Sequence, residues 1–244
     1  MKNTNKHYII IILLVMLIVS ILTYYIYKYN NTLKSKIINS NTIEVNYEIN
    51  KIDYEEELNK VRNKYNNNDI VGILSNSDDT LNEIVMQSTD NDYYLEHTVY
   101  HESNWRGQTF LDYRNDINNS DKLIIYGHNS NYYNLPFKVL ENYYNKSYYD
   151  ENKYLYLQTN LNKYKYEIFS VYVEVSDWDY YNKMKFNTKD EYYNHILKLK
   201  NKSMYDTDVL VNEDDKILII QTCSTKKEYS NYENKFLLII AKRV

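Results

Sequence analysis

The sequence predicts a mainly β fold: an eight-stranded, closed or nearly closed barrel with an N-terminal helix and further peripheral helices. Three observations predict it. Eight short runs rich in β-branched and aromatic residues recur along the chain, two of the gaps between them carry helix-start signals, and a helical periodicity precedes them all.

Taken in order, the first element is Tyr8 to Tyr27 (YIIIILLVMLIVSILTYYIY), 20 residues without a charge. As a helix this run is long enough to cross a hydrocarbon core of about 30 Å. It exceeds the apolar region of a cleavable signal peptide, and no small-x-small cleavage pattern follows it. The expectation is an uncleaved, single-pass anchor at 8–27, with 1–7 a cytoplasmic tail and the rest extracytoplasmic. Lysines flank the run on both sides, so orientation rests on the shortness of the tail rather than on a charge count.

An Asn/Lys-rich stretch at 28–42 reads as a tether. Within 43–66, Tyr54, Leu58, Val61 and Tyr65 recur at helical spacing, and Glu56 and Lys60 are placed for an i,i+4 pair. One domain follows over 67–244, long enough for a sizeable core. Its predicted strands are Ile70–Leu74, Leu81–Gln87, Gln108–Asp112, Lys122–Tyr126, Tyr154–Thr159, Tyr164–Val175, Ile217–Thr222 and Phe236–Lys242. Pro136 marks the start of a helix running to about Tyr144, since proline in a first helical turn sacrifices no hydrogen bond. Thr188 to Glu191 has the form of a capping box and opens another helix, with Tyr192, Ile196 and Leu199 on one face.

A net charge of −4 speaks against nucleic acid as a partner. The 31 tyrosines, like the many Asn, Ile and Lys residues, have AT-rich codons, and no function is read from them. The chain has a single cysteine, Cys223. In an exported chain such a thiol pairs between molecules or is reactive, while its bland reading is an inert buried hydrophobe.

A cysteine nucleophile needs a base, most often histidine. Of five histidines, His7 abuts the anchor, and His195 falls within the helix after Thr188, where a solvated side chain is expected. His97 and His101 lie in a polar loop. His128 differs, because an apolar strand ending in Tyr126-Gly127 delivers it to a loop, just as Ile217–Thr222 delivers Cys223. Two strand ends, each presenting one reactive group, could meet at one mouth of a barrel.

"IIYGHNS" followed by a proline-started helix, then "IIQTCS" and a final "FLLIIAKRV", resembles a sortase, one of the membrane-anchored cysteine transpeptidases of Gram-positive bacteria. The long insert between the motifs, with "NDYYLEH" and "FLDYRND" upstream, resembles class B. The resemblance implies that Cys223 is the nucleophile and His128 the general acid/base. It also implies an arginine near the start of the last strand, where this chain has Phe236 with Lys235 beside it. Lys235 is the expected stand-in and Arg106 a remote second, while Arg114 and Arg243 are badly placed. Gln221 occupies a position where a small residue is usual.

Gln221, Thr222, Tyr126, His97 and Phe236 are the expected substrate contacts. The implied partners are sorting-signal peptides, cut after threonine, and an acceptor amine from a peptidoglycan cross-bridge or a pilin lysine. No cofactor and no metal is implied. A papain-like protease would carry its cysteine early and on a helix, against the order here. A silent sortase-fold protein that only binds peptide is the other reading, raised by the absent arginine.

Overall fold

The structure is a computed structural model and describes residues 16, 18–34 and 52–244. The chain divides into two compact units, Met1–Ile52 and Asp53–Val244. In the first, residues 18–34 are helical (α1) and expose their apolar side chains. Much of the expected anchor lies outside the described residues, and among those described no helix is long and apolar enough to cross a membrane.

The second unit opens with α2, Tyr54–Tyr65. Asp53 caps it by accepting the Glu56 N–H at 3.0 Å, three acidic residues occupy its first turn, and Asn66 ends it in the left-handed conformation. Leu58 is its buried contact, and the Glu56–Lys60 pair closes at 2.9 Å in solvent.

Eight strands follow: β1 Ile70–Asn76, β2 Asn82–Met86, β3 Phe110–Leu111, β4 Lys122–Tyr126, β5 Tyr154–Gln158, β6 Lys163–Glu174, β7 Ile217–Cys223 and β8 Phe236–Arg243. They close into a barrel in the order β1-β2-β3-β4-β7-β8-β6-β5, which leaves no free edge for another chain to pair with. The predicted strands lie within a residue or two of these, except that Gln108–Asp112 shrinks to Phe110–Leu111. Asp112 leaves the strand to bind Arg114 with its carboxylate.

Most neighbours are antiparallel, but β2 and β3 run parallel through the single pair Met86–Phe110, and β4 and β7 run parallel with Lys122 opposite Ile217 and Tyr126 opposite Gln221. Both strands are buried on both faces, which explains their unbroken apolar sequences. Leu123, Ile125, Leu218 and Ile220 join one core cluster with Phe137, Leu140 and Tyr149, whereas Ile124, Ile217 and Ile219 join a second with Leu58, Ile196 and Leu199. Each such side chain contributes about 1.5–3 kcal/mol by leaving water.

The long crossover from β4 to β7 holds a 3-10 helix, Pro136–Tyr144, then α3 (Lys146–Glu151), β5, β6, α4 (Asp179–Asn182) and α5 (Lys189–Asn201). The proline-started segment is thus a tighter 3-10 helix; no side chain caps its first turn. At α5 the box is half formed. Thr188 accepts the Glu191 N–H at 3.1 Å, but the Glu191 carboxylate bonds the Asn187 N–H at 2.7 Å instead of returning to Thr188. His195 on α5 corrects the sequence reading: it is buried, not solvated, because its helix face packs onto the barrel beside Lys122 and Phe186.

Candidate active site

Parallel register decides where the reactive groups fall. Tyr126 pairs with Gln221, so the residues two further along, His128 and Cys223, leave the same end of adjacent strands. Both line one cleft of about 280 Å³, together with Leu95, Phe110, Tyr126, Tyr181, Gln221 and Phe236. Larger hollows of about 930 and 730 Å³ lie elsewhere, and neither is lined by Cys223 or His128.

Three hydrogen bonds tie the two strand ends together. The Gly127 N–H donates to the Gln221 carbonyl at 3.2 Å, the Thr222 hydroxyl donates to the Gly127 carbonyl at 2.7 Å, and the Asn129 amide donates to the Cys223 carbonyl at 3.0 Å. Gly127 is required by packing. A Cβ there would stand 2.7 Å from the Phe137 ring, which lies flat against the backbone just before the histidine.

His128 is oriented by backbone. Its Nε2 lies 2.9 Å from the carbonyl of Leu95, the last residue of the 3-10 turn Tyr93–Leu95. Because a carbonyl only accepts, Nε2 carries a proton and Nδ1 is the position free to exchange one. The carbonyl also tolerates the imidazolium.

Cys223 is exposed at its surface, yet the protein around it pushes the thiol above its usual value by desolvation, while the Lys235 charge pulls it down. Such a thiol keeps its proton at neutral pH and needs a base to give it up. Across the ladder Cys223 faces Phe236, whose ring packs on Trp178 at 5.7 Å. Lys235 stands outside the cleft lining: its carbonyl accepts from the Ser224 N–H at 2.9 Å, and its ammonium donates to the Tyr232 carbonyl at 3.1 Å.

None of the arginines among the described residues lines the cleft. Arg106 lies over the Trp105 ring at 5.5 Å, Arg243 over Tyr164 at 4.7 Å, and Arg114 binds Asp112. His97 is also outside, stacked on Tyr93 at 4.1 Å with Nδ1 on the Tyr93 carbonyl. His101 reaches the Tyr93 hydroxyl at 3.1 Å instead of the cleft.

Behind the cleft, fully buried Asp112 gathers donors from three residues: Arg114 through its backbone N–H at 2.9 Å and a side-chain fork at 2.8 and 2.6 Å, the Tyr126 hydroxyl at 2.6 Å and the Asn91 amide at 3.0 Å. Despite desolvation, these bonds hold its carboxyl below the usual range. The Arg114 guanidinium in turn lies 4.4 Å over the Tyr181 ring, so one buried carboxylate fixes three cleft-wall residues.

Sequence reasoning missed Leu95, Asn129, Asn91 and Tyr181. Leu95 acts through its carbonyl and has no side-chain signature. Asn129 was signalled only by adjacency to His128, and Asn91 and Tyr181 depend on Asp112, whose spacing to Arg114 in "LDYRN" was the available clue. Among the described residues no group of His, Cys, Asp and Glu is arranged to hold a metal ion.

Residues 84–244 match the family model of the sortase domain. The chain is 35% identical over 164 residues to the sortase B of Listeria monocytogenes, spanning 67% of this chain and 66% of that protein. To the sortase B of Staphylococcus aureus it is 32% identical over 177 residues, spanning 72% and 70%. Its fold is similar to the crystal structure of Clostridium perfringens sortase B. There the TM-score is 0.68 at 28% identity, covering 76% of this chain and 99% of the other.

Proposed function

This chain belongs to the sortase family of cysteine transpeptidases, and from that membership we propose the reaction its cleft carries out. The substrate is a C-terminal sorting signal of a surface protein, of the Asn-Pro-x-Thr type, bound as an extended peptide along the cleft. Cys223 passes its proton to His128 as the sulfur attacks the threonine carbonyl carbon. The tetrahedral intermediate collapses, the C–N bond breaks, and His128 protonates the departing amine. A thioester on Cys223 remains.

An incoming amine then attacks the thioester, losing its proton to His128, and the thiolate leaves. A peptidoglycan cross-bridge amine gives wall attachment; a pilin lysine gives a polymer. Lys235 supplies positive charge near the developing oxyanion, replacing the fork of an arginine by a point charge. Segment 8–27 tethers the domain to the outer face of the membrane, with 28–42 as spacer and 67–244 as catalytic domain.

The observation that carries this reading is the parallel β4–β7 register, which delivers His128 and Cys223 to one cleft. The test is incubation of the full-length chain with labelled sorting peptides, with and without a nucleophilic amine. A covalent peptide adduct on Cys223 and amine-dependent product are expected. The absence of arginine from the cleft lining favours a second reading, a peptide-binding protein of sortase fold, and binding without any adduct would establish that one instead.

A further inference from the structure

Gln221 lies two residues before Cys223 on β7, so both side chains leave the same strand face, about 7 Å apart at ordinary strand rise. Both line the cleft. Where the family resemblance leads one to expect a small side chain, this chain places an amide.

That amide is held the right way round from behind. The Tyr180 hydroxyl, from α4, is 2.9 Å from Gln221 Oε1. Tyr180 is only 2% exposed and has no other hydroxyl partner among the described residues. Were it to accept from the amide nitrogen, its own hydrogen would be buried without an acceptor; it therefore donates to Oε1. Tyr180 is itself anchored, since its backbone carbonyl accepts from the buried Lys122 ammonium at 2.8 Å.

With Oε1 occupied, Nε2 is turned away from Tyr180 and has no hydrogen-bond partner among the described residues. Several neighbouring polar groups are already committed, and the Asp92 carboxylate and the His128 ring, which also line the cleft, make no hydrogen bond to Gln221 among the described residues. Asn91 accepts from the Tyr113 N–H and donates to Asp112, Tyr126 donates to Asp112, and Thr222 donates to the Gly127 carbonyl. The cleft lining around Gln221 is mostly apolar, with Phe110, Phe236 and Leu95 beside the polar Asn91, Asp92 and His128. An amide donor in such a setting discriminates strongly between a ligand that supplies an acceptor and an isostere that does not.

We propose that Gln221 is a specificity-determining residue: its Nε2 donates to an oxygen-bearing side chain of the peptide, on the acyl side and within three residues of the scissile threonine, with Tyr180 holding the donor outward. The inference rests on the transpeptidase reading and deepens it by naming the residue that reads a carbonyl side chain of the signal, the Asn of Asn-Pro-x-Thr being one such group.

The test is calorimetric binding to the full-length Cys223→Ala chain of Asn-Pro-x-Thr peptides in which each residue before threonine is, in turn, Gln or the near-isosteric Met. At one position the Gln peptide binds about tenfold tighter, the value of one hydrogen bond. Adding Gln221→Met erases the ratio, and adding Tyr180→Phe shrinks it. Equal affinities at all three positions, or a ratio that survives Gln221→Met, overturn the proposal. Mass spectrometry of the wild-type chain reads the underlying reaction separately: no peptide thioester on Cys223 defeats the transpeptidase reading, whereas thioester formation with equal affinities defeats this inference alone.

Discussion

At one end of β4, His128 borders the cleft with Nε2 on the Leu95 carbonyl; at the other end, His195 of α5 lies 3.4 Å from the buried Lys122 ammonium. The same ring meets opposite neighbours. Burial, then the charge of Lys122, pushes His195 down to about 3, while Lys122 itself is pulled down to about 7 by burial and then by Arg114. A carbonyl accepts the proton that His128 carries on Nε2; an ammonium forbids one on the Nε2 of His195. The proposed chemistry therefore falls at the end where a half-buried histidine borders the cleft and faces an acceptor, and the other end packs. There Lys122 stitches α4 to the barrel through the Tyr180 and Lys183 carbonyls at 2.8 and 2.5 Å.

The contrast breaks most completely at the sulfur. Cys223→Ala removes product and covalent adduct altogether in the labelled-peptide assay, and retained turnover would remove the nucleophile from this account. Next come the two histidines compared directly. His128→Gln lowers kcat/KM by about 10²–10⁴, the worth of a general acid/base, while His195→Gln leaves it within about threefold, as for a residue remote from the reacting atoms. Equal losses from both would erase the distinction between the two ends.

A smaller effect is expected at the start of β8. Lys235→Met lowers kcat/KM by about 10², as loss of an oxyanion donor does, and Lys235→Arg raises it by restoring the fork. Steady-state kinetics on both variants read this directly; no change in either would leave the Tyr232 carbonyl as the only role for that ammonium.

The smallest effect sharpens the buried end. The folded value of His195, near 3, lies below the unfolded value of about 6.5, so between these limits the unfolded chain binds more protons. His195 therefore costs no stability above about pH 6.5, and stability falls as the pH drops toward 3, by about 1.4 kcal/mol per pH unit at most. Denaturant melts across this window should slope downward with acid, and His195→Gln should flatten the slope.

The strands were legible because their side chains follow local rules. Ile217–Thr222 and Lys122–Tyr126 are apolar without alternation, which demands burial on both faces, and Pro136 and Thr188 punctuate the crossover with turn and cap chemistry that neighbours in the chain suffice to set. Cys223 and His128 stood out for a related reason: each is a reactive side chain at the end of such a run. His195 was misread because helical periodicity places Tyr192, Ile196 and Leu199 on a buried face but does not say how wide that face is. Leu95 was silent because a carbonyl has no signature in sequence, and of the Asp112 partners only Arg114 is near in the chain, while Tyr126 and Asn91 come from distant segments.

By itself, then, the sequence determined which segments are strands, which residues end them, and which reactive groups exist. Only the tertiary structure decided that β4 and β7 are neighbours, run parallel and pair Tyr126 with Gln221. Strand direction and register arise from long-range closure of the barrel, to which each strand's own pattern is indifferent. A slip of one residue, or an antiparallel pairing, would use the same amino acids and send the histidine and the cysteine to different places.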